Sequence, residues 1–150
     1  MERSFDLDRF FHECIPITKA MGIRVVESGD QCLILTAPLE LNRNDKGTAF
    51  AGTIVALATL TGAAYTLRLL AEHGSTADVV IASSEQKYLR PGTGNLFANC
   101  QVPAPAHRTR FLGALKAEGK AKWWLTVSIR SGEVEVARFK GEYVGLSPAK

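Results

Sequence analysis

The sequence predicts an α+β fold in which a single antiparallel sheet curls around one long central helix. Three observations carry that expectation. Gly47 to Leu67 is a run of 21 residues without a charge, and an element apolar on every side must be enclosed by protein or by lipid. About six flanking segments are rich in β-branched and aromatic residues, several with a clear period of two. Two pairs of these segments are joined by short turn signals, Ser28-Gly29-Asp30 and Ser131-Gly132, as antiparallel hairpins are.

The elements follow in order. Leu7 to Cys14 is a short amphipathic helix, and a second turn after Pro16 ends at Gly22. Ile23 to Glu27 and Gln31 to Leu39 form the first hairpin. The central helix closes near Glu72-His73-Gly74, a glycine stop. Asp78 to Leu89, Leu96 to Val102, Lys120 to Arg130 and Glu133 to Leu146 are the remaining strands. Ala121, Trp123, Leu125, Val127 and Ile129 share one face, as do Leu96, Ala98, Cys100 and Val102. In the last strand Val134 and Val136 fall on even positions but Phe139 and Tyr143 on odd ones, so a bulge near Ala137 is expected.

About twenty apolar residues would cross a bilayer, but eight of the 21 uncharged positions are taken by five threonines and three glycines. With no second apolar segment and no aromatic belt, the run is expected to be a wholly buried helix and not a membrane span. Its small residues Ala51, Gly52, Ala56, Thr59, Ala63 and Ala64 would let strands lie close against it.

A chain of 150 residues fits one domain, residues 1–150. Its net charge of +3, from 18 Lys and Arg against 15 Asp and Glu, is too small and scattered to indicate nucleic acid; a small polyanion remains a candidate partner. Cys14, Cys32 and Cys100 are odd in number and far apart, which suits buried free thiols in a reducing compartment. The acidic N-terminus lacks the apolar core of a signal peptide, and a cytoplasmic protein is expected. No cluster has metal-ligand spacing, so neither metal nor resident cofactor is expected. His12, His73 and His107 have no nucleophile partner at a recognised spacing, and no phosphate-cradling glycine loop is present.

Two motifs resemble those of hotdog-fold acyl-CoA thioesterases. Asn44-Asp45-Lys46-Gly47-Thr48-Ala49-Phe50-Ala51-Gly52 has the spacing of the loop that opens their central helix, with Phe50 where His is usual and Ala51 where the first Gly is. Tyr88-Leu89-Arg90-Pro91-Gly92 matches the aromatic-Leu-Arg-Pro that ends the strand after the helix. The likeness covers most of the chain and is closest to the thioesterase domain of YiiD-type proteins. It implies a hotdog fold and hydrolysis of an acyl thioester of coenzyme A, or of acyl carrier protein, in a pocket at a subunit contact. A homodimer or dimer of dimers is expected, and coenzyme A enters only as part of the substrate.

Thioester hydrolysis needs a place for the developing oxyanion and a group that aims or deprotonates water. The unpaired N–H groups around Ala49 to Gly52 supply the first, with Ala51 and Gly52 small enough to admit a carbonyl oxygen; Gly52 could instead serve helix packing. The resemblance places a catalytic carboxylate either at Asn44 or nine residues after Phe50, and this chain has Asn44 and Thr59 there. Asp45 is then a candidate base or else a turn former, with Asn44 and Asn42 orienting substrate or water. Thr59 could hold a water or bond its own helix carbonyl. Glu85, on the strand expected at the subunit contact, is a further candidate. Gly47, Phe50, Ala51 and Arg90 complete the expected substrate-binding set. From His107 to Lys122, Arg108, Arg110, Lys116, Lys120 and Lys122 face only Glu118; this is expected to be a solvated loop and strand face, or a place for phosphates. Two other functions fit the same residues: a protein that holds acyl thioesters without turnover, and a hydratase or dehydratase.

Overall fold

The computed structural model describes residues 5–149. Its elements are α1 (Leu7–Cys14), α2 (Ile17–Ala20), β1 (Arg24–Ser28), β2 (Leu33–Ala37), a 3-10 turn (Leu39–Leu41), α3 (Ala51–Glu72), β3 (Asp78–Tyr88), β4 (Leu96–Cys100), α4 (Pro105–Glu118), β5 (Lys120–Ser131) and β6 (Val134–Leu146). The six strands form one sheet in the order β1-β2-β4-β5-β6-β3, every neighbouring pair antiparallel. Leu33, Leu35, Ala98, Cys100, Val127, Ile129, Phe139 and Tyr143 are buried on the face that holds α3. The expected bulge near Ala137 is present, because Ile129 pairs with Ala137 while Arg130 pairs with Glu135.

α1 is capped by Asp6, which accepts from the Arg9 N–H at 3.0 Å. Asp8 accepts from the Val25 N–H at 2.7 Å and His12 meets the Ile23 carbonyl at 2.9 Å, so the helix is tied to β1 by side chains. α3 ends as expected: Gly74, at φ +69°, lets the Ser75 N–H turn back to the Leu70 carbonyl. By length and composition α3 could cross a membrane, yet 67% of its most apolar window is buried inside the fold.

α3 is nonetheless not wholly buried. Gly52, Val55, Ala56, Thr59, Leu60 and Ala63 form a stripe that is half or fully exposed. Most of the small residues expected to meet the strands therefore lie on the open side of the helix, with only Ala64 of that set buried. The close approach to the sheet is made by Gly62 instead: a Cβ there would lie under 3.0 Å from the Tyr143 ring and hydroxyl. Tyr143 itself is fully buried and donates its hydroxyl to the Thr59 carbonyl at 2.7 Å. Burial raises its pKa, and the hydroxyl stays a donor. Thr61 and Thr66 bond carbonyls one turn back, at Leu57 and Gly62.

α4 corrects the reading of the basic segment as loop and strand. Its helix starts with Pro105 and stops at Gly119, φ +73°, and packs Phe111 and Leu115 against Leu69, Leu70 and Ala121. Gly113 sits on its exposed side with nothing within 4 Å of a would-be Cβ. Gly113→Ala is expected to stabilise the chain by about 0.5–1 kcal/mol, through lower unfolded-state entropy alone; a lower melting temperature in calorimetry would contradict this.

The thiols also differ from expectation, since only Cys100 is buried, Cys32 is half-buried and Cys14 is exposed. Burial pushes the Cys100 thiol up to about 12, and the neighbouring Glu27 carboxylate, with a smaller contribution from burial, raises that of Cys32. A maleimide at neutral pH is expected to label Cys14 first, Cys32 more slowly and Cys100 only on unfolding, as read by intact mass.

Candidate active site

The residues before α3 form a tight polar loop whose geometry is fixed by two asparagines in different ways. Arg43 bridges to Ala49, the Asn44 N–H donates to the Thr48 carbonyl at 2.8 Å, and Gly47 turns the chain at φ +77°. The Asn44 side-chain oxygen accepts from the N–H groups of Lys46 and Thr48, at 2.9 and 3.0 Å. Its amide donates one hydrogen to Thr48 Oγ1 at 2.8 Å. An amide has two donor hydrogens, so one N–H of Asn44 is free to serve a ligand.

Asn42 has no such freedom. It is 5% exposed; Nδ2 donates to the Met21 and Pro38 carbonyls at 2.8 Å each, and Oδ1 accepts from Thr53 Oγ1 at 3.0 Å. Its backbone carbonyl takes the Phe50 N–H at 2.8 Å. Expected to orient substrate, Asn42 instead straps the loop to the start of α3.

Those straps also decide which amides are free. The Ala49 N–H donates to Gly92 and that of Phe50 to Asn42, while Thr53 and Ile54 donate back to the Phe50 carbonyl. Among the described residues only Ala51 and Gly52 of this turn have N–H groups without an acceptor, and they stand at the positive end of a 22-residue helix. The donors thus narrow from the expected Ala49–Gly52 to two. Phe50 is the helix cap but makes no side-chain cap bond. Its ring, 54% exposed, lies over Gly52, where a Cβ would meet three ring atoms within 3.1 Å.

Beside the helix start is an open depression of about 420 Å³ lined by Asn44, Lys46, Thr48, Ala51, Tyr88 and Arg90, among others. Arg90 is delivered there because its N–H and that of Leu89 both donate to the Val136 carbonyl. No acid lines it, and two cations do. Its chemistry is that of a cradle for negative charge. Tyr88, absent from the residues expected from sequence, also lines it and opens the same Tyr-Leu-Arg-Pro segment as Arg90.

Of the expected site residues only Asn44, Ala51 and Arg90 line the depression; Asn42, Gly47, Phe50 and Gly52 stand around the loop and helix start, and Asp45, Glu85 and Thr59 lie clear of it. Asp45 has its side chain 81% exposed and paired with Lys46 at 3.1 Å, on the outside of the turn. Glu85 pairs with Lys140 across β3 and β6, whereas Gln86 pairs with the buried Phe139; directly opposed residues share a face, so Glu85 points away from α3. Thr59 lies on the open stripe of α3, and among the described residues its hydroxyl has no hydrogen-bond partner. No group of three or more His, Cys, Asp or Glu that could hold a metal is present among the described residues.

The chain resembles solved structures over nearly its whole length. A thioesterase-named protein from Shewanella oneidensis is 30% identical, with a TM-score of 0.86 over 93% of this chain and 94% of that one. A protein of unknown function from Chlorobaculum tepidum is 29% identical, with a TM-score of 0.88 over 97% and 94%. At 16% identity and a TM-score of 0.74, a Haemophilus influenzae thioesterase shares the fold, over 99% of this chain and 96% of that one. The curled six-stranded sheet around α3 is the hotdog fold. The family model described as "Putative thioesterase (yiiD_Cterm)" matches residues 4–147, and the chain belongs to that family.

Proposed function

We propose that this protein hydrolyses acyl thioesters, of coenzyme A or an acyl carrier protein, at the start of α3 in a site completed by a second copy of the chain. The observation that carries the proposal is the pair of free N–H groups on Ala51 and Gly52 beside the acid-free depression at Asn44 and Arg90. A thioester carbonyl seated there would gain charge in the transition state where two amide dipoles already point. Asn44 acts as a donor in this scheme. Both acceptor sites of its oxygen are filled, so it can hold a carbonyl or the oxygen of a water but cannot deprotonate one.

The base must then come from outside the depression. β3 is an edge strand whose inner face carries exposed Ser84, Gln86 and Tyr88, next to the open stripe of α3. A second copy laid on that edge would cover the stripe and bring its own side chains to Gly52 and Thr59. Turnover is expected in a thiol-release assay over a series of acyl-CoA chain lengths, with sedimentation giving at least a dimer. Binding by calorimetry with no thiol release from any acyl-CoA or acyl carrier protein would leave the second reading, a thioester-binding protein, which the acid-free lining favours. Asp45→Asn is expected to keep turnover within about twofold, because an exposed carboxylate paired to its neighbour is screened. Asn44→Ala is expected to lose about a hundredfold, the usual cost of an oxyanion donor. A large loss in Asp45→Asn would restore Asp45 as the base.

A further inference from the structure

The only two tryptophans of the chain, Trp123 and Trp124, line one groove of about 740 Å³ between α4 and β5. The groove follows from the strand pairing. β4 pairs with β5 from Val127 to Ser131, so Lys120–Leu125 of β5 has no strand on that side among the described residues. α4 lies there instead. Phe111 stacks on Trp123, with centroids 4.3 Å apart, and the helix stripe His107, Arg110, Ala114 and Glu118 forms the facing wall.

Arg110, Lys120, Lys122 and His107 surround this groove against one acid, Glu118. None of the three cations belongs to an ion pair among the described residues. α4 has no acid in its first turn and no side-chain cap, which leaves its positive end unscreened beside His107. An arginine fork and lysine point charges suit phosphate. Trp124, 49% exposed, offers a face on which a base can stack, and the volume lies in the range of small-molecule sites.

We propose that the α4–β5 groove binds a nucleoside diphosphate, the base against Trp124 and the phosphates on Arg110, Lys120 and Lys122. This is a second site. α4 packs on Leu69 and Leu70, about 27 Å along the helix from Ala51 at 1.5 Å per residue, so the groove does not depend on thioester chemistry at Asn44.

Because both tryptophans line the groove, intrinsic fluorescence reports on its occupancy. Titration of the full chain with ADP at low salt is expected to quench that fluorescence saturably and more weakly as salt rises. Lys120→Glu with Lys122→Glu is expected to weaken binding by at least about tenfold with the circular dichroism spectrum unchanged. Inorganic pyrophosphate, which has no base, should compete but bind several-fold more weakly than ADP, and Asn44→Ala should bind ADP like the unaltered chain. The proposal is overturned by any of three results: no fluorescence or calorimetric response to millimolar ADP, ADP affinity indifferent to the double charge reversal, or tighter binding of a hexaglutamate peptide than of ADP. The last would make the groove a docking place for an acidic protein segment.

Discussion

Gly62→Ala is expected to destabilise the chain by roughly 3 kcal/mol or more, an overpacking cost with a damaged hydrogen bond added. For about 150 residues that lowers the melting temperature by about 6–12 °C. The new methyl would fall under 3.0 Å from the Tyr143 ring and hydroxyl. That ring stands on β6 against α3 and is fully buried, so it has little room to withdraw. Its hydroxyl bond to the Thr59 carbonyl would stretch or break. Pairing the change with Tyr143→Phe removes the atom nearest the methyl, and the double variant should be more stable than the two single effects added. Strict additivity would mean that Gly62 does not serve this contact.

The second large effect is expected for Asn42→Ala. Three side-chain hydrogen bonds disappear at a site only 5% exposed, and the Met21 and Pro38 carbonyls and the Thr53 hydroxyl lose a partner each. At about 1 kcal/mol per bond the loss is about 3 kcal/mol. Activity should fall as well, because the side-chain strap from Thr53 to Asn42 helps fix where α3 begins and so where the Ala51 and Gly52 amides point. The contrast with Asn44→Ala is diagnostic. That variant should lose thiol release with a smaller drop in melting temperature, since the Asn44 bonds are at a partly exposed turn. Equal melting temperatures for the two would remove the distinction between strap and donor.

The sheet and its central helix were legible because their signals are redundant. Alternation from Ala121 to Ile129, the uncharged run before Arg68 and the stop at Gly74 each report the same core from a different side. The bulge in β6 could be found because apolar residues change phase there. The one in β3 could not. Between Ile81 and Ser83 the register shifts, and Ala82-Ser83-Ser84 carry no apolar pattern to reveal it. Counting from Ile81 by twos puts Glu85 on the inner face, and the bulge turns it outward. α4 is hard to read from sequence for a related reason: only Phe111 and Leu115 of its fourteen residues are buried, too thin a stripe for periodicity, although Pro105 and Gly119 mark both ends. Asn42 and Asn44 look alike in sequence; only burial separates a filled amide from one with a hydrogen to spare.

The strand order also bears on how the chain is made. β3 has a single sheet neighbour, β6, which is the last element along the chain, and 58 residues separate Tyr88 from Leu146. At ribosomal rates the emerging chain would hold β3 without its partner for about 3 to 12 seconds. For the same interval α3 lacks the Phe139 and Tyr143 side chains that cover it. Nascent chains of this protein therefore present their most apolar segment longest, and chaperone dependence should centre on the moments before β6 leaves the ribosome.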